Sequence, residues 1–151
     1  MTVYFFDSSS LVKRYIVETG TTWVRSVVGV RADNRVIIAQ VTPVEVMSAV
    51  SRHVRDQLVA RRNALAIQAY VNRHAEREYV VVNLSKAIIL SAQNALLKYT
   101  LRAYDAVQLA SALEANRRLV AANQPPLIFV CTDTRLLLAA ASEGLHTHKP
   151  V

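Results

Sequence analysis

Four short apolar runs rich in β-branched and aromatic residues punctuate the chain: Val3-Tyr4-Phe5-Phe6, Val36-Ile37-Ile38-Ala39, Tyr79 to Leu84, and Leu127 to Cys131. Each is too short for a buried helix and suits a buried strand. Between them lie segments with helical spacing. Strands that alternate with helices are joined by crossovers, which make the sheet parallel and the connections right-handed. The expected fold class is therefore α/β: three α/β/α layers around a parallel sheet of four strands, or five if Leu145 to His148 adds a short edge. The 151 residues suit one domain, and a chain of that size buries roughly 68–70% of its unfolded surface.

The helices follow from their start and stop signals. Ser8 to Ser10 open a first helix of about ten residues through Leu11, Val12, Tyr15 and Ile16, stopping near Gly20. Thr21 or Thr22 caps a second, carrying Trp23, Val24, Val27 and Val28. Thr42-Pro43-Val44-Glu45 has the form of a capping box, with proline at the first helical position. An arginine-rich helix is expected from Asp56 to His74, with Leu58, Leu65, Ile67 and Val71 on its buried side. Ser85 caps a helix through Ile88, Ile89, Leu96 and Leu97. Leu101 to Asn116 reads as a buried helix, apolar almost all round. Thr134 to Ser142 forms the last helix, ended by Gly144.

The acids are placed unevenly on this scheme. Asp7 ends the first strand, where a doubly wound sheet opens its ligand crevice. Glu45 lies in the first turn of the helix after strand two, and Asp133 follows strand four. Asp105, in the first turn of the helix before strand four, joins them if that helix begins on the same side. Each acid has a local alternative: Asp7 and Asp133 as helix caps, Glu45 in the capping box, Asp105 serving the helix dipole. Glu18, Asp33, Asp56, Glu76, Glu78, Glu114 and Glu143 read as solvated.

Carboxylates gathered in one crevice repel one another unless a cation sits among them. Mg²⁺ or Mn²⁺ prefers such oxygen ligands, whereas neither clustered His nor Cys offers a zinc site. Such ions activate water and neutralise the leaving oxygen in phosphodiester hydrolysis. The 18 Lys and Arg outnumber the 11 Asp and Glu, giving a net charge of +7 and a bias toward polyanions. A basic protein with an acidic metal crevice suggests a nuclease. The lone Cys131 excludes an intramolecular disulfide and fits a reducing cytoplasm. No apolar run approaches the ~18 residues of a membrane span, so a cytoplasmic protein is expected.

Phe6-Asp7-Ser8-Ser9-Ser10-Leu11-Val12-Lys13, Thr42-Pro43-Val44-Glu45-Val46, Leu101-Arg102-Ala103-Tyr104-Asp105-Ala106-Val107-Gln108-Leu109-Ala110 and Thr132-Asp133-Thr134-Arg135-Leu136 resemble the motifs of PIN-domain ribonucleases. The similarity is greatest to VapC-type toxins of toxin–antitoxin pairs and runs along nearly the whole chain. It implies a PIN-like fold and a Mg²⁺- or Mn²⁺-dependent endoribonuclease with Asp7, Glu45, Asp105 and Asp133 as catalytic, metal-holding acids. It also implies a supporting hydroxyl at Ser9, which helps orient the first carboxylate or a metal-bound water, a homodimer, and a small antitoxin partner that covers or disturbs the crevice. Gln108 stands where many relatives carry His, and Cys131 where Thr or Ser is common, with Thr132 as its substitute. A PIN-like module that binds RNA or protein without cutting is the alternative.

Six arginines, 52, 55, 61, 62, 73 and 77, face only Asp56 and Glu76 in a basic run from Arg52 to Arg77. Arg61 and Arg62 of that run, with Lys13 and Arg14 nearer Asp7, are the candidate contacts to an RNA backbone. A solvated helix face or dimer rim is the other reading of the run.

Overall fold

The computed structural model describes all 151 residues, Met1–Val151. Strands β1 (Val3–Phe6), β2 (Arg35–Ala39), β3 (Tyr79–Val82), β4 (Ile128–Val130) and β5 (His146–His148) form one sheet in the order β3-β2-β1-β4-β5. Every neighbouring pair is parallel, including the short edge strand β5. Seven helices flank it: α1 (Ser8–Leu11), α2 (Thr21–Val27), α3 (Thr42–Arg55), α4 (Arg61–Arg77), α5 (Lys86–Lys98), α6 (Ala103–Ala121) and α7 (Thr134–Ser142).

Alternate strand residues feed two cores, as the pleat requires. Val3, Phe5, Ile37, Ala39 and Phe129 pack with α5, α6 and α7, the rings of Phe5 and Phe129 stacked with centroids 5.7 Å apart. Phe6, Val36, Ile38 and Val130 face the other way, onto the α1–α4 layer. Small residues on α6 (Ala106, Ala110, Ala112, Ala115) and α5 (Ala92, Ala95) allow those two helices to pack closely. The strand order turns back at β1 and β4, and ligand crevices of open α/β sheets form beyond the carboxyl ends at such a switch point.

Three local expectations are corrected. The first helix is a four-residue turn followed by a 3₁₀ turn over Val12–Arg14. Ser10, fully buried, places its hydroxyl 2.8 Å from the Val130 carbonyl, which pins this turn to β4. The arginine-rich helix begins at Arg61, because Asp56 ends α3 and Gln57 takes a left-handed conformation (φ 59°). It leans on α3 and β3 along a narrow stripe in which Val71 alone is fully buried, leaving Leu58 and Leu65 exposed. An apolar groove of about 620 Å³ between Tyr15, Ile16, Leu58, Ile67 and Tyr70 results. Finally, α6 is buried on one side only; Glu114, with Arg117 and Arg118, forms a charged outer face. No helix is long and apolar enough to cross a membrane.

Candidate functional site

Beyond the carboxyl ends of β1 and β4 opens a crevice of about 840 Å³ lined by Asp7, Glu45, Asp105 and Asp133 together. Two strand ends and two helices, one from each layer, supply them. The parallel topology brings Asp7, Glu45 and Asp133 to one edge, and α6 joins them there because it begins on the same side.

Asp7 is 3% exposed and held from several directions. The Ser9 hydroxyl lies 2.8 Å from both of its carboxylate oxygens, and the Ser10 backbone N–H donates to Oδ1 at 3.0 Å. Ser9 in turn accepts the Thr132 backbone N–H at 3.1 Å, so it ties the end of β1 to the segment after β4. Asp7 thus caps α1 while facing the crevice. Asp133 likewise caps α7, accepting the Leu136 N–H at 2.9 Å. A carboxylate has lone pairs on two oxygens, so capping and ligation are compatible.

The capping box expected at Glu45 does not form. The helix starts one residue early, with Val41 as its cap, so Thr42 is the first helical residue and is completely buried. Its hydroxyl meets the Gln108 side-chain amide at 3.0 Å. Glu45 is released to the crevice, where Oε1 accepts from Gln108 Nε2 at 2.7 Å and Oε2 from the Ser8 hydroxyl at 3.0 Å. Gln108 and Ser8 carry a role that the sequence pattern alone did not assign. Gln108 lies three residues after Asp105, the spacing that places side chains on one helical face, and that spacing was the available signal.

Burial raises the pKa of Asp7 above the usual aspartate value. Glu45 is raised by burial first and then by repulsion from Asp7 and Asp105. Asp105 is raised by burial and by Asp133. The acids therefore sense one another across the crevice, the electrostatic condition in which a bound cation is favoured. Burial also pushes up the Cys131 thiol beside Asp7, so the sulfur stays protonated; it accepts the Asp133 N–H at 3.2 Å. The available ligands are hard oxygens, suited to Mg²⁺ or Mn²⁺. No three Asp, Glu, His or Cys side chains stand together as a preformed metal cage. Mg²⁺ keeps several waters and takes one or two carboxylates directly, so acids spread around a wet crevice still fit it.

The expected basic residues divide. Lys13 is buried in the crevice wall and pairs with Glu18 at 3.3 Å. Arg14 turns away to Glu78 (2.8 Å) and the Tyr79 hydroxyl (2.5 Å), which removes Arg14 from the crevice and Glu78 from solvent. Arg61 and Arg62 are exposed on the first turn of α4, outside the crevice lining. Arg52 and Arg102 line it instead. Thr132 lines it too.

The family model of the PIN domain matches residues 4–124, a span that contains Asp7, Glu45 and Asp105, while Asp133 lies beyond it. The crystal structure of PAE2754 from Pyrobaculum aerophilum is similar in fold, with a TM-score of 0.56 at 18% identity over 97% of this chain and 89% of that one. No curated protein sequence matches the chain. With a five-stranded parallel sheet, an acid-lined crevice at its switch point and a family model spanning most of its length, the chain belongs to the PIN-domain family, whose members are typically metal-dependent nucleases.

Proposed function

We propose that the protein is a Mg²⁺- or Mn²⁺-dependent endoribonuclease, the toxin of a toxin–antitoxin pair, acting as a homodimer silenced by a small antitoxin. The observation that carries the catalytic reading is the convergence of Asp7, Glu45, Asp105 and Asp133 on one crevice, where burial and neighbouring acids raise the pKa values of Asp7, Glu45 and Asp105. These residues would hold the ion. When bound, it supplies an activated water and neutralises charge on the leaving oxygen.

The chain's own residues position and attract. Ser9 and the Ser10 N–H orient Asp7, while Ser8 and Gln108 orient Glu45. Arg52, Arg102 and Lys13 at the crevice draw the polyanion toward acids that would otherwise repel it.

A non-catalytic RNA- or protein-binding PIN module is the second reading, and the lack of a preformed cage favours it. One experiment separates the two. Purified protein is incubated with total RNA in Mn²⁺ or in chelator, beside Asp7→Asn. Cleavage that needs Mn²⁺ and disappears in the folded variant supports the enzyme; RNA bound but uncut in Mn²⁺ supports the module. Co-expression with the product of a neighbouring small reading frame, followed by sedimentation of the complex, tests the toxin assignment.

A further inference from the structure

A second concavity of about 550 Å³ adjoins the acidic crevice, and the two share Arg102, Asp105, Thr132 and Asp133. Its remaining wall is Thr100, Leu101, Thr134 and Arg135, so it has a single hydrophobic lining residue and no further acid. We propose that this side pocket is a subsite for the phosphodiester adjoining the one that is cut, in a single strand of RNA; the proposal rests on the ribonuclease reading above.

The lining selects the ligand. With neither an aromatic nor a broad apolar wall, the pocket offers no platform on which a base could stack. Two guanidiniums and three threonine hydroxyls are donors, and the guanidinium fork matches phosphate oxygens in bidentate geometry. Neither Arg102 nor Arg135 forms an ion pair within the protein, unlike Arg14, Arg117 and Arg118, and both are exposed. The amino ends of α6 and α7 reach the same pocket, adding partial positive charge to that of the side chains.

Asp105 and Asp133, common to both concavities, oppose an anion in the side pocket as long as they are uncompensated. A divalent ion on the crevice side removes that opposition. Phosphate in the side pocket and metal in the crevice are therefore expected to bind cooperatively. Arg102, common to both linings, would follow the strand from one to the other.

The test uses a short single-stranded RNA with a fluorescent label, titrated in Ca²⁺ at several salt concentrations, with gels to verify that the RNA stays intact. Arg102→Gln with Arg135→Gln is expected to weaken binding by roughly tenfold and to lower the log–log salt slope by about 1 to 1.5, since each lost phosphate contact removes about 0.7. Arg25→Gln with Arg31→Gln, an equal loss of charge away from the pocket, is expected to lower it less. Replacing one phosphodiester at a time by an uncharged methylphosphonate should weaken wild-type binding at one linkage in particular, and the Arg102/Arg135 variant should be indifferent to that linkage.

An unchanged slope, an equal drop in the charge control, or the same linkage profile in both proteins overturns the subsite. Absence of RNA binding by the wild type overturns it as well. Cleavage in Mn²⁺ is scored separately. Arg-dependent binding without cleavage keeps the subsite and removes the nuclease, and cleavage without Arg-dependent binding does the reverse.

Discussion

Gln108 Nε2 donates to Glu45 Oε1 at 2.7 Å, joining a helix of one layer to a helix of the other at the crevice. The same amide reaches Thr42 Oγ1 at 3.0 Å, and Gln108 is 1% exposed, so its orientation is fixed by its surroundings. Groups that orient a metal-holding carboxylate typically change metal affinity by 10–100-fold when removed, and that range applies to Gln108 here. Gln108→Leu is expected to weaken Mn²⁺ binding by roughly that factor, at a stability cost of about 1–3 kcal/mol from the unpaired Thr42 and Glu45. Calorimetric Mn²⁺ titration beside thermal unfolding checks it; unchanged affinity in the folded variant means that Glu45 needs no such support.

Charge removal at Glu45 should stabilise the metal-free protein. Burial and neighbouring acids raise its pKa, so the folded state favours the neutral form. For such a group, stability is lost as pH rises from the unfolded value of 4.5 through the higher folded value. Glu45→Gln keeps an acceptor for Gln108 and removes the charge. Its Tm in chelator should exceed that of the wild type by a few degrees, roughly 2–4 °C per kcal/mol at this size. Added Mn²⁺ should raise the wild-type Tm more than that of the variant. A lower Tm for Glu45→Gln in chelator contradicts the electrostatic argument.

A second titrating cluster lies away from the crevice. His74 Nδ1 is 2.9 Å from the Tyr15 hydroxyl, itself 2.9 Å from the Tyr79 hydroxyl. Burial, then Arg14, lowers the His74 pKa below 6.5, against an opposing pull from Glu78. A base with a depressed folded pKa is less readily protonated when folded, so stability falls as pH drops from about 6.5 toward the folded value. His74→Gln should remove that component. The difference in stability between wild type and variant should shrink from pH 7.5 to pH 5.5 in denaturant titrations, whereas a constant difference shows that His74 is not the titrating group.

Glycine conformation gives a paired comparison. Gly20 (φ +92°) precedes α2, and a Cβ there would lie 2.8 Å from the Pro150 carbonyl oxygen; Gly144 (φ +90°) has open space around it. Gly144→Ala should cost about 1–2 kcal/mol from backbone strain alone. Gly20→Ala should cost more, because the C-terminal segment must also move. Equal losses in chemical denaturation would show that Pro150 yields freely.

Strands were legible because Val36, Ile37 and Ile38 can hardly be anything else in a short apolar run, and their alternation with helices dictated parallel pairing. The carboxyl-end placement of Asp7, Glu45 and Asp133 followed from that topology. Side-chain direction was less legible. Thr42 has the chemistry of a cap, yet a shift of one residue in the helix start buries it beneath Gln108. Arg14 is adjacent to Lys13, but the 3₁₀ turn rotates it toward Tyr79 and Glu78. Leu58 and Leu65 satisfied the helical pattern, but Leu58 falls in the turn between α3 and α4, and α4 at the sheet edge has too little neighbouring surface to cover Leu65. In each case the outcome depended on a tertiary partner distant in sequence.

The four acids are rooted in both faces of the sheet: Glu45 on α3, Asp105 on α6, and Asp7 and Asp133 beyond the carboxyl ends of the adjoining strands β1 and β4. Anything they grip together acts as a rivet through all three layers. Loading the crevice should therefore slow amide hydrogen exchange in α3 and α6 in concert, although the sheet keeps those helices on separate cores.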